Sequence, residues 1–142
     1  MNEERYSLVE GQKDGLPAVI VIDREAFTPE RRGHQWHLSV MMDCQELADQ
    51  GMPTREEYLV LDREGDRVEA IVKATGGGFF MARITWHGTR QLLFRVSDPA
   101  TVANALQDDI ARSQNERPWD FRMWEDVEWT EAEWYANAIQ AG

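Results

Sequence analysis

Residues 76–99, GGGFFMARITWHGTRQLLFRVSDP, carry the reading that decides the fold. Three glycines lead into Phe79–Trp86, a run rich in aromatic and β-branched residues. His87-Gly88 interrupts the run, and Arg90–Val96 takes it up again. Glycine in a short connection between two such runs marks a β-hairpin. With Thr85 opposite Arg90, one face collects Phe79, Met81, Leu92, Phe94 and Val96. The other collects Phe80, Ala82, Ile84, Trp86 and Leu93, so both faces call for burial. Asp98-Pro99 then starts a helix, with Asp as N-cap and Pro at the first helical position, and Val102, Leu106 and Ile110 supply its buried stripe.

Upstream of the glycines, Thr54-Arg-Glu-Glu57 has the spacing of a capping box. It predicts a helix to Ala74 with Leu61, Val68, Ile71 and Val72 on its apolar stripe and Gly76–Gly78 as its C-cap and flexible link. Arg63-Glu-Gly-Asp66 leaves open a hairpin between Tyr58–Leu61 and Val68–Val72. Earlier, Trp36, Leu38, Val40 and Met42 alternate with more polar neighbours, the period of a strand with one apolar face. Pro17–Ile22 is a continuous apolar run that reads as a strand buried on both faces. Downstream, Trp119, Phe121 and Met123 alternate with Asp120, Arg122 and Trp124 as a last strand. Thr130-Glu-Ala-Glu133 is a second capping box, opening a terminal helix with Trp134, Tyr135 and Ile139.

The order predicts an α+β fold: an antiparallel sheet with two helices on one face, ferredoxin-like (split βαβ), plus an extra N-terminal strand and a C-terminal helix. A chain of 142 residues suits a single domain, 1–142, in which residues 1–15 are expected to form a loosely ordered polar leader.

Twenty-six Asp+Glu against fifteen Lys+Arg give a net charge of −11, which repels nucleic-acid phosphates and anionic lipid headgroups. No direct nucleic-acid partner and no membrane partner are expected. The longest apolar run, Leu16–Ile22, falls far short of the roughly 20 residues that cross a bilayer. The Glu-bearing start has no apolar core of a signal peptide, and the lone Cys44 cannot form an internal disulfide, so a cytoplasmic protein is expected.

Catalytic chemistry is hard to place. His34-Gln-Trp-His37 would hold a metal on a helix, but on a strand the two rings diverge, and His87 is distant in sequence. No metal and no cofactor are expected. Gly76–Gly78 follows a helix rather than preceding one, the wrong order for a phosphate cradle. No nucleophile elbow is present, and Asp43 beside Cys44 raises the thiol pKa. The abundant carboxylates single out no acid–base pair, so no catalytic residue is named.

Two surfaces remain. Arg83, Thr85, His87 and Arg90 are the hairpin's polar donors, suited to a carboxylate or phosphate. Near the C-terminus, Trp119, Trp124, Trp129 and Trp134 recur every five residues among acids, with Arg122 the only basic residue there. Five is neither a helical nor a strand period. Either Trp119 and Trp134 seal the core while the acids face water, or Trp124, Glu125, Asp126, Glu128 and Trp129 form an acidic–aromatic surface for a basic protein partner.

The strand Pro17-Ala-Val-Ile-Val, Gly51-Met-Pro53 followed by Glu56-Glu57-Tyr58, the Ile84–Arg90 hairpin leading into Leu93-Phe94-Arg-Val, and the closing Trp129 to Tyr135 resemble the bacterial family called domain of unknown function 695. Trp124 is an additional Trp within an otherwise acidic stretch. The resemblance implies no assigned activity. Domains of that family sometimes resemble, or occur beside, the ferredoxin-like domain of the regulator of ribonuclease E activity B, a protein that inhibits by binding. The expected function is an acidic protein-binding or regulatory module. The alternative is a small-anion-binding protein or enzyme using the cleft around Arg83 and Arg90. A homodimer follows if Phe80, Ile84, Trp86 and Leu93 are left uncovered by the chain itself.

Overall fold

The Thr54 hydroxyl accepts the amide N–H of Glu57 at 3.2 Å and starts one continuous helix, α1 (Arg55–Ala74), so the hairpin alternative falls. The computed structural model describes residues 5–112 and 115–141, with side chains described to residue 137. Strands β1 (Tyr6–Lys13), β2 (Leu16–Asp23), β3 (Trp36–Asp43), β4 (Gly78–Trp86), β5 (Thr89–Val96) and β6 (Trp119–Glu125) accompany α1, α2 (Pro99–Arg112) and α3 (Thr130–Ala141). The fold is α+β. The strands form one antiparallel sheet in the order β1-β2-β4-β5-β3-β6.

The supposed polar leader is largely a strand. Tyr6–Lys13 pairs along its whole length with β2 through a turn at Asp14 and Gly15, both with positive φ. Asp-Gly is the pair a two-residue hairpin turn of this hand favours.

On one face of the sheet, Leu38, Val40 and Met42 of β3, Leu92, Phe94 and Val96 of β5, and Trp119 of β6 pack beneath Leu61, Val68 and Val72 of α1 and Val102 and Leu106 of α2. Full burial of each such side chain contributes roughly 1.5–3 kcal/mol. Gly76, at φ +72°, ends α1 in the left-handed conformation. Gly78 starts β4 where a Cβ would lie 2.9 Å from Val72 Cγ1 and 3.2 Å from the Arg95 carbonyl oxygen, so helix and strand meet there without a side chain.

Thr85 does pair with Arg90, as expected, but a bulge between Phe80 and Ala82 inserts Met81 as an extra residue. The faces therefore exchange beyond it. Phe80 sits opposite Phe94 on the helix-covered face, while Phe79 and Met81 join the other. There Ile20, Ile22, Met81, Ala82 and Leu93 are covered by Ala26 of the 3-10 turn Arg24–Phe27 and by Trp129 and Ala132 at the start of α3. Trp86 donates its indole N–H to the Lys13 carbonyl at 2.9 Å, under the Lys13 ammonium. Of the apolar set that argued for a second copy, Leu93 is buried within the chain, while Phe80, Ile84 and Trp86 are half-buried. Trp134 seals nothing: it is 58% exposed, and Trp129 takes the buried place. Ile139 lies outside the described side chains.

The expectation of two buried faces for β2 is corrected as well. Ala18, Ile20 and Ile22 are buried, but Val19 and Val21 are only half-buried. The cause is the lateral extent of the helices: α1 and α2 lie over β4, β5, β3 and β6 and stop short of β1 and β2.

Candidate functional site

The uncovered margin beside α1 is a groove of about 320 Å³. Its floor is apolar, formed by Val21 of β2, Phe80 of β4 and Leu92 of β5, with Tyr6 of β1 at the outer side. Its wall is α1. Asp62, Asp66 and Glu69 stand at i, i+4 and i+7, one stripe of the helix extending about 10 Å along its axis. Between them Gly65 brings the helix backbone close to the sheet, where a Cβ would meet Leu92 Cδ1 at 3.7 Å.

Two guanidiniums enter the groove from the sheet. Arg90 is buried. Its Nε donates to Thr85 Oγ1 and its Nη1 to Asp62 Oδ1, both at 2.9 Å, and its guanidinium lies 5.5 Å from the Tyr58 ring. Burial lowers its pKa, and the hydrogen bond to Asp62 opposes that shift. Arg83 is half-buried and approaches the same Asp62 oxygen only to 3.8 Å. Burial holds the Glu69 carboxyl above its usual range, with Asp66 and Asp23 adding to the rise and Arg83 and Lys73 opposing it. Negative charge is in excess here.

Of the four predicted donors, the fold brings Arg83, Thr85 and Arg90 together and leaves His87 out. His87 sits exposed at the hairpin tip with φ +49°, its ring 5.1 Å from that of Trp86. Tyr6, Asp62, Asp66 and Glu69 were missed. The signal for the acids is in the sequence, an acidic stripe on the helix that carries Leu61, Val68 and Val72 on another.

The C-terminal set does not form one surface. Trp129, at φ +60°, is buried with its ring 4.2 Å from the Arg95 guanidinium and 5.0 Å from that of Arg32, and its indole N–H donates to the Arg32 carbonyl at 3.2 Å. Asp126 faces inward. It accepts from Arg95 Nη1 at 2.8 Å and from the amides of Thr130 and Glu131 at 3.0 and 3.1 Å. It thereby caps α3, a role the capping-box spacing had assigned to Thr130. Trp124, Glu125 and Glu128 stay exposed.

Other buried polar groups serve the fold. Glu57 does not close its capping box; it accepts from Arg117 at 2.5 and 2.7 Å and from the Gln45 amide at 2.9 Å. Glu64 accepts the Trp119 indole N–H at 3.2 Å and the Glu116 amide at 2.9 Å, and pairs with Arg67. Burial, with the charge of Glu57, pushes the Cys44 thiol up to about 11, so it is not a thiolate at neutral pH. Among the described residues, no three His, Cys, Asp or Glu gather in a way that could hold a metal ion.

The model of the Family of unknown function (DUF695) matches residues 5–137. The chain belongs to this family. No curated protein and no solved structure matches it. The DUF695 match spans β1 to α3, so it includes the hairpin that borders the groove as well as the helix that walls it. Among the described residues of this DUF695 chain, no helix is long and apolar enough to cross a membrane.

Proposed function

We propose that this DUF695 protein is an acidic binding module that seats a basic segment of a partner protein in the groove between α1 and the β1–β2 margin. The observation that carries the reading is the Asp62–Asp66–Glu69 stripe facing an apolar floor. Basic side chains have apolar stems that suit such a floor, and their charged heads suit the carboxylates. The net charge of −11 steers such a partner from a distance. The Arg83–Arg90 pair is what favours the anion reading, yet Arg90 is already held by Thr85 and Asp62, and three carboxylates outnumber two guanidiniums.

The architecture is in keeping with a binding role. The run β3-α1-β4-β5-α2-β6 with strand order β4-β5-β3-β6 supports a ferredoxin-like split βαβ unit, to which the β1–β2 hairpin is added. That domains of this family sometimes resemble, or occur beside, a domain that inhibits by binding agrees with this, as analogy. The single thiol is in keeping with a cytoplasmic setting.

Fluorescence anisotropy with a labelled octapeptide of alternating Arg and Leu, and with its Glu–Leu counterpart, tests the proposal. The basic peptide is expected to bind and the acidic one not. Asp66→Asn/Glu69→Gln should weaken binding about tenfold or more, the scale of two lost charge contacts. Gly65→Met, which places a side chain in the groove without changing charge, should also weaken it. Binding indifferent to both variants, or displaced by inorganic phosphate, overturns the reading.

A further inference from the structure

Arg83 differs from every other cation around the groove in how it is held. Arg90 is buried and tied on two sides, so it cannot leave. Arg83 is the second cation at an oxygen, Asp62 Oδ1, that Arg90 already occupies at 2.9 Å, and it stands off at 3.8 Å, beyond hydrogen-bond distance. Its side chain is 34% exposed, so water is at hand if it turns outward. It springs from β4 opposite Leu92 and therefore projects on the same face as the apolar floor. There it opposes the charge of Glu69.

Resting on the reading above, we infer that Arg83 is a built-in counter-ion of this groove, a loosely held guanidinium that an arginine side chain of the partner displaces. The guest is then an arginine rather than a lysine. Asp66 and Glu69 are i, i+3 neighbours on α1, about 5–6 Å apart at their Cβ atoms, a spacing a planar fork of donors bridges and a compact ammonium does not. Arg83 sets the threshold for entry: the guest must replace a cation already present, so a weakly basic or poorly oriented segment is turned away. This is discrimination by competition rather than by an added contact.

The sign of one substitution tests the inference. The probe is an acetylated, amidated pentapeptide with a single central Arg between Leu and Ala residues, titrated by calorimetry into the full chain. Arg83→Gln is expected to bind it about fivefold more tightly than wild type, the scale of one partly screened charge. Arg83→Lys, which keeps a cation, should bind close to wild type. A peptide with citrulline in place of Arg should bind weakly to all three proteins, and thermal unfolding of each variant controls for folding. If Arg83→Gln weakens binding or leaves it unchanged while Glu69→Gln weakens it, the counter-ion role is overturned and the groove reading stands. If Glu69→Gln also has no effect, or no protein binds the Arg peptide, both fall together.

Discussion

Strand β5 carries two buried arginines five residues apart, Arg90 and Arg95, on opposite faces of the sheet. They share chemistry and depth but not surroundings. Arg95 is enclosed. Its Nη1 donates to the Asp126 carboxylate and its Nη2 to the Asp126 carbonyl, both at 2.8 Å; Nε reaches the His34 carbonyl at 3.1 Å, and Trp129 stacks on the group. Arg90 has Thr85 beneath it and Asp62 beside it, and it borders the groove. The carboxylate partners account for the difference: the Asp126 side chain is 8% exposed and that of Asp62 47%. A buried arginine whose counter-ion is also buried is a staple of the fold. One whose counter-ion reaches water belongs to a surface on which ligands can act.

The comparison breaks first, and hardest, at Arg95. Arg95→Leu leaves the inward-facing Asp126 carboxylate without its ion-pair partner and should cost about 3–5 kcal/mol in urea denaturation. Adding Asp126→Asn should restore part of that loss, because the stranded charge is then gone.

The same cluster predicts a pH dependence. Burial pushes His37 down to about 4, with Arg95 adding to the fall and Asp126 opposing it. The folded pKa lies below the unfolded value near 6.5, so the unfolded chain binds the extra proton between these pH values. Stability should therefore rise with pH across that window, and the native state should lose on the order of 3 kcal/mol between pH 7 and pH 4 from this group. Denaturation curves at a series of pH values check it, and His37→Phe should flatten the slope across the window.

The smallest effect belongs to Arg90. Arg90→Met removes two hydrogen bonds but leaves Asp62 able to turn to water, so about 1–2 kcal/mol is expected. A loss equal to that of Arg95→Leu would erase the distinction between staple and surface.

Much of this arrangement was legible in the sequence. The hairpin pairing of Thr85 with Arg90, the start of α1 at Thr54 and the Asp98-Pro99 helix start follow local chemistry, in which side chain and backbone satisfy each other within a few residues. Features that depend on distant packing were not. The Met81 bulge leaves no mark in the alternation, and it decided which face Phe79 and Phe80 take. Trp129 reads as part of an acidic–aromatic surface with Trp124, yet the loop from Asp126 turns it inward onto Arg95. Asp14-Gly15 did carry a turn signal, masked by the polar residues of β1 around it. Those residues are polar because β1 is an edge strand with much of its surface in water, and Leu8 is 62% exposed there. For the site, the donors Arg83, Thr85 and Arg90 were readable because one hairpin holds them. The carboxylates were not, because their relation to the hairpin exists only once α1 crosses the sheet.

The strand count has a further consequence, one of width. Six strands about 4.8 Å apart span roughly 29 Å, whereas two helices side by side, each about 10 Å across, span roughly 20 Å. Since α3 lies on the opposite face, its bulk cannot make up the difference. The groove is thus a shortfall in cover of about two strands, set by how many elements the chain has rather than by which side chains line it. Substitutions along Asp62, Asp66 and Glu69 can change what the recess prefers without closing it. Only losing the β1–β2 hairpin, or gaining another helix, would remove it.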